Sequence, residues 1–293
     1  MKIVMGVEER ERLKAAGDLV KGLRFEDPAI ELVHVLERVG EEGLPQLEGV
    51  RPDLIARYLK MQEDEAQALL AQGEAELKQR GLACRTKLLV GLSANRIIAH
   101  AQESGGDLLA LGSTGKGPIE SVIVGSVGRK ALISAQCSVL IAKKSVAADR
   151  PLTVVFATDH SAYANRCMEK LLSWRPKGIG RSVITTVYPE QLLKAMSTVM
   201  ENFKADVSSW VRAELERNNA QLIQRLAPLG GDFKSRVESG RVGDTLERVM
   251  MEEQADLLVL GAQGHGFIER LTIGGVSLDQ ALRRPYSVLV LRA

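Results

Sequence analysis

Residues Gly112 to Ser126 read GSTGKGPIESVIVGS and follow directly on the run Asp107–Leu111, DLLAL. A short apolar run is read as a buried strand, and the stretch ends where helical spacing begins. Strand, glycine-rich loop and helix in that order form an anion-binding arrangement. Glycines allow close backbone approach, and the first N–H groups of the helix point at the anion. The arrangement occurs twice. Gly261 to Gly275 reads GAQGHGFIERLTIGG after Asp256–Leu260, DLLVL. The glycines at 112, 115 and 125 recur at 261, 264 and 274, a constant spacing of 149. The chain is therefore read as a duplication.

The order of elements supports this. In the first half, strands are expected at Lys2–Val7, Ile30–Leu36, Leu82–Val90, Asp107–Leu111 and Ser138–Ala142. Helical spacing lies between them, including one long stretch from Asp53 to Arg80 ended by Gly81, and a helix capped by Ser93. The second half repeats the order, with strands at Leu152–Thr158, Ser182–Val187, Asp232–Glu238, Asp256–Leu260 and Ser287–Leu291. Its long helical stretch runs from Pro189 to Leu226. Short, nearly all-apolar strands alternating with helices predict an α/β fold, two repeated doubly wound domains with parallel sheets covered on both faces. The polar run KKSVAADR places the boundary, giving domains 1–146 and 151–293. In such sheets ligands sit beyond the carboxyl ends of the strands, where strand order reverses. The turns after the first and fourth strands of each half are thus the expected walls of a site.

Bulk composition narrows the function. The 293 residues are 45% hydrophobic and 26% charged, with net charge +2. No stretch gathers Lys and Arg as a nucleic-acid footprint does, and 4% aromatic content argues against base-stacking platforms. The apolar runs are too short for a bilayer, and the start of the chain lacks a secretory core segment. Cys84, Cys137 and Cys167 share no CxxC spacing, which fits a reduced cytoplasmic protein. The four histidines are scattered, so no tight zinc site is expected. No His/Asp base and orienter stand near Ser126 in sequence, so no nucleophilic triad is expected.

Gly112, Gly115, Gly125 and Ser126 fit G-x2-G-x9-G-[ST], and with the double occurrence and the SVL final strands (Ser138-Val139-Leu140, Ser287-Val288-Leu289) the chain resembles the universal stress protein family. The resemblance implies a five-stranded parallel sheet of order 3-2-1-4-5 in each half. It also implies pairing of two such domains through their last strands, within one chain as a pseudo-dimer or between chains as a homodimer. It implies binding of ATP or a related adenine nucleotide, with a divalent ion such as Mg as a possible companion, and a regulatory output in the stress response. Carried over residue by residue, the acid after strand one is Asp159 in the second half and Glu8 in the first. The valine ending strand two is Val35 and Val187. The phosphate loops are Gly112, Gly115, Gly125 and Ser126, and Gly261, Gly264, Gly274 and Gly275. Glu8 is one methylene longer than the family Asp, and Gly275 lacks the family hydroxyl, so each half departs from the pattern at a different place. Which half binds stays open. The rival readings are an interaction module with degenerate sites, and a slow ATPase. Lys116 and His265, beside the second glycine of each loop, are read as solvated, His34 as a core residue, and Asp159 alternatively as a helix cap.

Overall fold

The computed structural model describes residues 1–8, 10–38, 52–113, 124–147, 149–190, 207–264 and 273–293. The first half runs β1 (Lys2–Gly6), α1 (Arg10–Leu23), β2 (Ala29–Leu36), α2 (Pro52–Gln79), β3 (Cys84–Val90), α3 (Ser93–Glu103), β4 (Leu108–Gly112), α4 (Ser126–Ser134) and β5 (Ser138–Ala142). The second runs β6 (Leu152–Ala157), α5 (Ala162–Ser173), β7 (Ile179–Tyr188), α6 (Val207–Leu226), β8 (Asp232–Ser239), α7 (Val242–Glu252), β9 (Leu257–Gly261), α8 (Gly275–Arg283) and β10 (Ser287–Leu291). The ten strands form one sheet of order β3-β2-β1-β4-β5-β10-β9-β6-β7-β8. Each half therefore has the order 3-2-1-4-5, as the resemblance implied.

Alternate residues of each strand feed opposite faces. Ile3 and Met5 join a core with Leu13, Leu19 and Leu23 of α1, Leu77 of α2 and Leu171 of α5. Val4 joins the other core, with Ile97 of α3, Leu132 of α4, Val249 of α7 and Ala281 of α8. Both cores run through both halves. No described helix is long and apolar enough to cross a membrane.

The halves meet at β5 and β10, the antiparallel pair of the sheet, with Leu140 opposite Leu289. These two residues are counterparts in the duplication, so the seam has a pseudo-two-fold axis between them, the isologous geometry of a dimer contained in one chain. The polar contacts follow the same symmetry. The Lys143 N–H donates to Ser287 Oγ at 3.0 Å, and the Arg292 N–H to Ser138 Oγ at 3.1 Å. Lys143 Nζ donates to the Arg284 carbonyl (2.5 Å) at the end of α8, and the Arg292 guanidinium to the Leu132 carbonyl at the end of α4. Each last strand thus sends a cation to the C-terminus of the other half's helix, where the helix dipole favours it. On the other face, Gly178 N–H donates to Leu23 O at 3.0 Å, and Phe25 meets Trp174 edge-on.

Local expectations were mostly met, with two corrections at helix starts. Ser93 is the first residue of α3 rather than its cap; Leu92 holds that place, and the Ser93 N–H goes to Glu37 Oε1 at 2.6 Å. Asp159 does not cap α5 either. Ser161 does, its side chain accepting from Ala164 N–H at 3.1 Å. His34 is half-buried, with Nδ1 donating to Val7 O at 2.8 Å.

Burial pulls the Lys143 ammonium down to about 8 from 10.5, Asp279 opposing. The native state then releases this proton near pH 8 and the unfolded chain near 10.5. Between those values the unfolded state binds more protons, so this lysine makes stability rise with pH. Urea titrations of the parent and of Lys143→Met are expected to diverge in the parent's favour from pH 8 upward. A difference that stays flat from pH 8 to 10 contradicts the burial of a titrating ammonium at the seam.

Candidate functional site

Strand register fixes which residues of the two halves correspond. Ile3 lies beside Leu108, and Val154 beside Leu257, the counterpart of Leu108. Counting on from Ile3 and Val154, Glu8 corresponds to Asp159 and Arg12 to Tyr163. Ile3 also lies beside Ile30, and Val154 beside Ser182, so Val35 corresponds to Val187. The pairs chosen by sequence motif are therefore equivalent in space.

In the first half Glu8, Arg12, Val35, Gly112 and Gly125 line one cleft at the carboxyl ends of β1 and β4, floored by Gly6, Leu111 and Ile141. Its enclosed space is about 40 Å³, far below the roughly 300–1,000 Å³ of ligand pockets. Glu8 is exposed and ion-paired with Arg12 across the first turn of α1. Gly125 is the N-cap of α4, with φ −64° and ψ 174°, and Ser126 is the exposed first residue of the helix. The first-turn N–H groups of α4 have no intrahelical acceptor, and no acidic residue occupies that turn. Gly115 and Lys116 lie outside the described residues.

Gly112 has a second role that the motif alone does not show. A Cβ built on it would stand 1.9 Å from the Arg12 carbonyl oxygen. The backbone of α1 crosses there, so this glycine is demanded by helix packing whatever the loop binds. Gly125 is different: a Cβ on it meets nothing within 4 Å.

In the second half the strand-one acid and the glycine loop meet. A Cβ on Gly264 would stand 2.8 Å from Asp159 Oδ2. The other oxygen, Oδ1, accepts the Ser161 N–H at 3.0 Å. His160 has φ 57° and sends its ring inward, with Nε2 3.0 Å from both Thr186 Oγ1 and Asn219 Oδ1. Asn219 of α6 is fully buried and donates to Ser235 Oγ at 3.0 Å. This network pins α6 to the sheet beside Asp159. Gly261 faces the Tyr163 ring, 3.3 Å from a built Cβ. The Gly274 N–H is taken by Ala262 O at 2.7 Å, and Gly275 opens α8 with nothing within 4 Å of a built Cβ. The Ser277 hydroxyl, two residues on, donates to Gly261 O at 2.8 Å and so does not replace the missing loop hydroxyl. Val187 is half-buried near the end of β7, beside Glu238. His265 lies outside the described residues.

A larger concavity of about 800 Å³ opens elsewhere, at the outer edge of the second half between α6, β8 and α7. Its charges satisfy one another. The buried Glu253 carboxylate takes Lys234 Nζ at 2.6 Å, Arg236 Nη1 at 3.0 Å and the Arg181 guanidinium. Burial raises Glu253, but hydrogen bonds from Lys234 and Arg236 outweigh it and hold the carboxyl below its usual range. That is an ion-pair network closing a sheet edge, away from the glycine motifs.

Comparison with known proteins agrees with this geometry. The model of the universal stress protein family matches residues 1–143 and again 152–292. Universal stress protein MJ0531 of Methanocaldococcus jannaschii is 31% identical over 132 residues, covering 45% of this chain and 75% of that protein. A universal stress protein structure from Archaeoglobus fulgidus superposes with a TM-score of 0.69 at 18% identity, over 99% of this chain and 98% of the other. A functionally unknown protein, PA1789 of Pseudomonas aeruginosa, gives 0.60 at 17% identity, over 99% and 92%.

The glycines of the first loop separate packing from binding. Gly112→Ala is expected to lower stability by about 1–3 kcal/mol or more, because its Cβ has no space. Gly125→Ala is expected to cost less than about 1 kcal/mol, the loss of a favourable N-cap residue. Urea unfolding of the two variants checks this; equal costs contradict the close approach of α1 to Gly112.

Proposed function

The chain belongs to the universal stress protein family through both of its halves, and on that premise we propose that it binds an adenine nucleotide, ATP or a close relative, as a regulatory ligand. One observation carries the reading. Glu8, Val35, Gly112 and Gly125 come from four separate segments and converge on one cleft at the strand ends. In the second half Asp159 meets Gly264 at the equivalent place. In this reading adenosine lies at the ends of β1 and β2, or β6 and β7. The phosphates lie at the start of α4 or α8, where unpaired N–H groups and the helix dipole favour negative charge. The open space around Gly125 and Gly275 suits a phosphate against the backbone. A divalent ion such as Mg would accompany the phosphates as part of the ligand, since among the described residues no group of three or more His, Cys, Asp or Glu side chains could hold one. Occupancy of a cleft shifts the population of conformations that a partner protein reads. The setting is the cytoplasm.

Glu8 in place of the family Asp, and the missing hydroxyl at Gly275, favour a second reading, an interaction module that has lost its ligand. Calorimetry decides between the two. The parent chain is expected to give saturable heat with ATP. Gly275→Ser, which has room for a side chain, is expected to tighten second-half binding several-fold, the worth of one hydrogen bond of about 1 kcal/mol. No heat from either protein at millimolar ATP, with no nucleotide co-purifying, leaves the interaction module standing.

A further inference from the structure

We propose that Arg12 selects for phosphate in the first-half cleft, and that its ion pair with Glu8 gives way to a phosphate-bearing ligand. This rests on the nucleotide reading above and adds a residue and a ligand preference to it. Three observations converge. Arg12 and Glu8 are ion-paired, and both line the cleft that Gly112 and Gly125 also line. The root of the Arg12 side chain is fixed there, because its own carbonyl occupies the space left by the absent side chain of Gly112. The side chain itself is 20% exposed, against 44% for Glu8, so the pair has one sheltered and one solvated member.

The second half shows the contrast. Tyr163 stands at the position of Arg12, with its ring against Gly261, and Asp159 at that of Glu8, turned to the Ser161 N–H. Duplication has thus left a guanidinium at one cleft and an aromatic ring at the other.

The exchange follows from relative strengths. The Glu8 end of the pair is open to solvent, where screening weakens an ion pair. A guanidinium meets a phosphate through two parallel charge-assisted hydrogen bonds, and a polyphosphate carries several negative charges. Glu8 is the more solvated member of the pair and the one free to move away when a ligand anion arrives. Glu8 then swings into solvent while Arg12 changes partner. An uncharged nucleoside gains nothing from breaking the pair. The first cleft therefore discriminates by charge on the ligand, whereas in the second half Tyr163 stands at the position of that guanidinium.

The test measures affinities of the full chain for ATP, adenosine and inorganic tripolyphosphate. Parent, Arg12→Gln, Arg12→Lys and Glu8→Gln are each made also with Gly264→Val, which pushes on Asp159 and disables the second cleft. Circular dichroism checks that each variant folds. The preference for ATP over adenosine is expected to fall about tenfold in Arg12→Gln, to recover in part in Arg12→Lys, and to rise several-fold in Glu8→Gln, which weakens the competing partner. An unchanged preference in Arg12→Gln overturns the proposal and leaves the pair as a helix-surface contact. Arg12-dependent tripolyphosphate binding without binding of either ATP or adenosine upholds Arg12 and removes the nucleotide reading. No binding of any of the three overturns both.

Discussion

The ladder between β5 and β10 is the contact on which the rest of the molecule depends. Two open five-stranded sheets each have an exposed edge at their last strand, and an exposed apolar edge invites aggregation. Here the two edges satisfy each other, and Leu140 and Leu289, both fully buried, face each other across the ladder. The join makes both cores continuous. Because the pairing is antiparallel and centred on duplication counterparts, it also fixes the orientation of everything else. The outer edges, β3 and β8, are protected differently. They carry exposed Arg85 and Lys87, and Lys234 and Arg236 held in ion pairs, where the inner strands carry buried Val and Leu.

Within this frame the two halves differ at the strand ends in ways that change the chemistry there. Gly6, against which Ile97 and Leu111 pack closely, has Ala157 as its counterpart. Buried Gly128 has Ser277, whose hydroxyl ties α8 to Gly261. Ser126 has Gly275, Glu8 has Asp159 and Arg12 has Tyr163. The buried strands are constrained by packing on two faces, and volume changes there are costly. The mouths of the clefts are exposed to solvent, and substitutions there alter chemistry at little cost in stability. One scaffold thus carries two differently substituted sets of strand ends.

Much of this was legible in the sequence, for physical reasons. Strands buried on both faces must be apolar throughout, so DLLAL and DLLVL announced themselves, and the constant spacing of the glycines exposed the duplication. Strand order was not readable from periodicity and came from the resemblance. The equivalence of Glu8 with Asp159, and of Val35 with Val187, needed the register to become a spatial statement. Three features escaped the reading. Arg12 lies in the charged run EERERLK, which has the composition of a solvated helix start, and nothing local shows that its carbonyl abuts Gly112. Lys143 opens the polar run KKSVAADR and was absorbed into the linker, although its spacing from Arg292 equals that of the glycines and could have marked the pair. Asn219 looks like any polar residue of a long helix until the sheet is placed beneath it.

The central claim is that ligand contacts fall at the carboxyl ends of β1 and β4 and of β6 and β9. Hydrogen exchange of the full chain, with and without saturating ATP, tests it most directly. The account predicts slowed exchange at residues 6–12 and 125–129, and at 159–163 and 275–278 where the second cleft is occupied, with the seam strands already protected in both states. Protection confined to the β8 edge around Glu253, or no change anywhere, would contradict it.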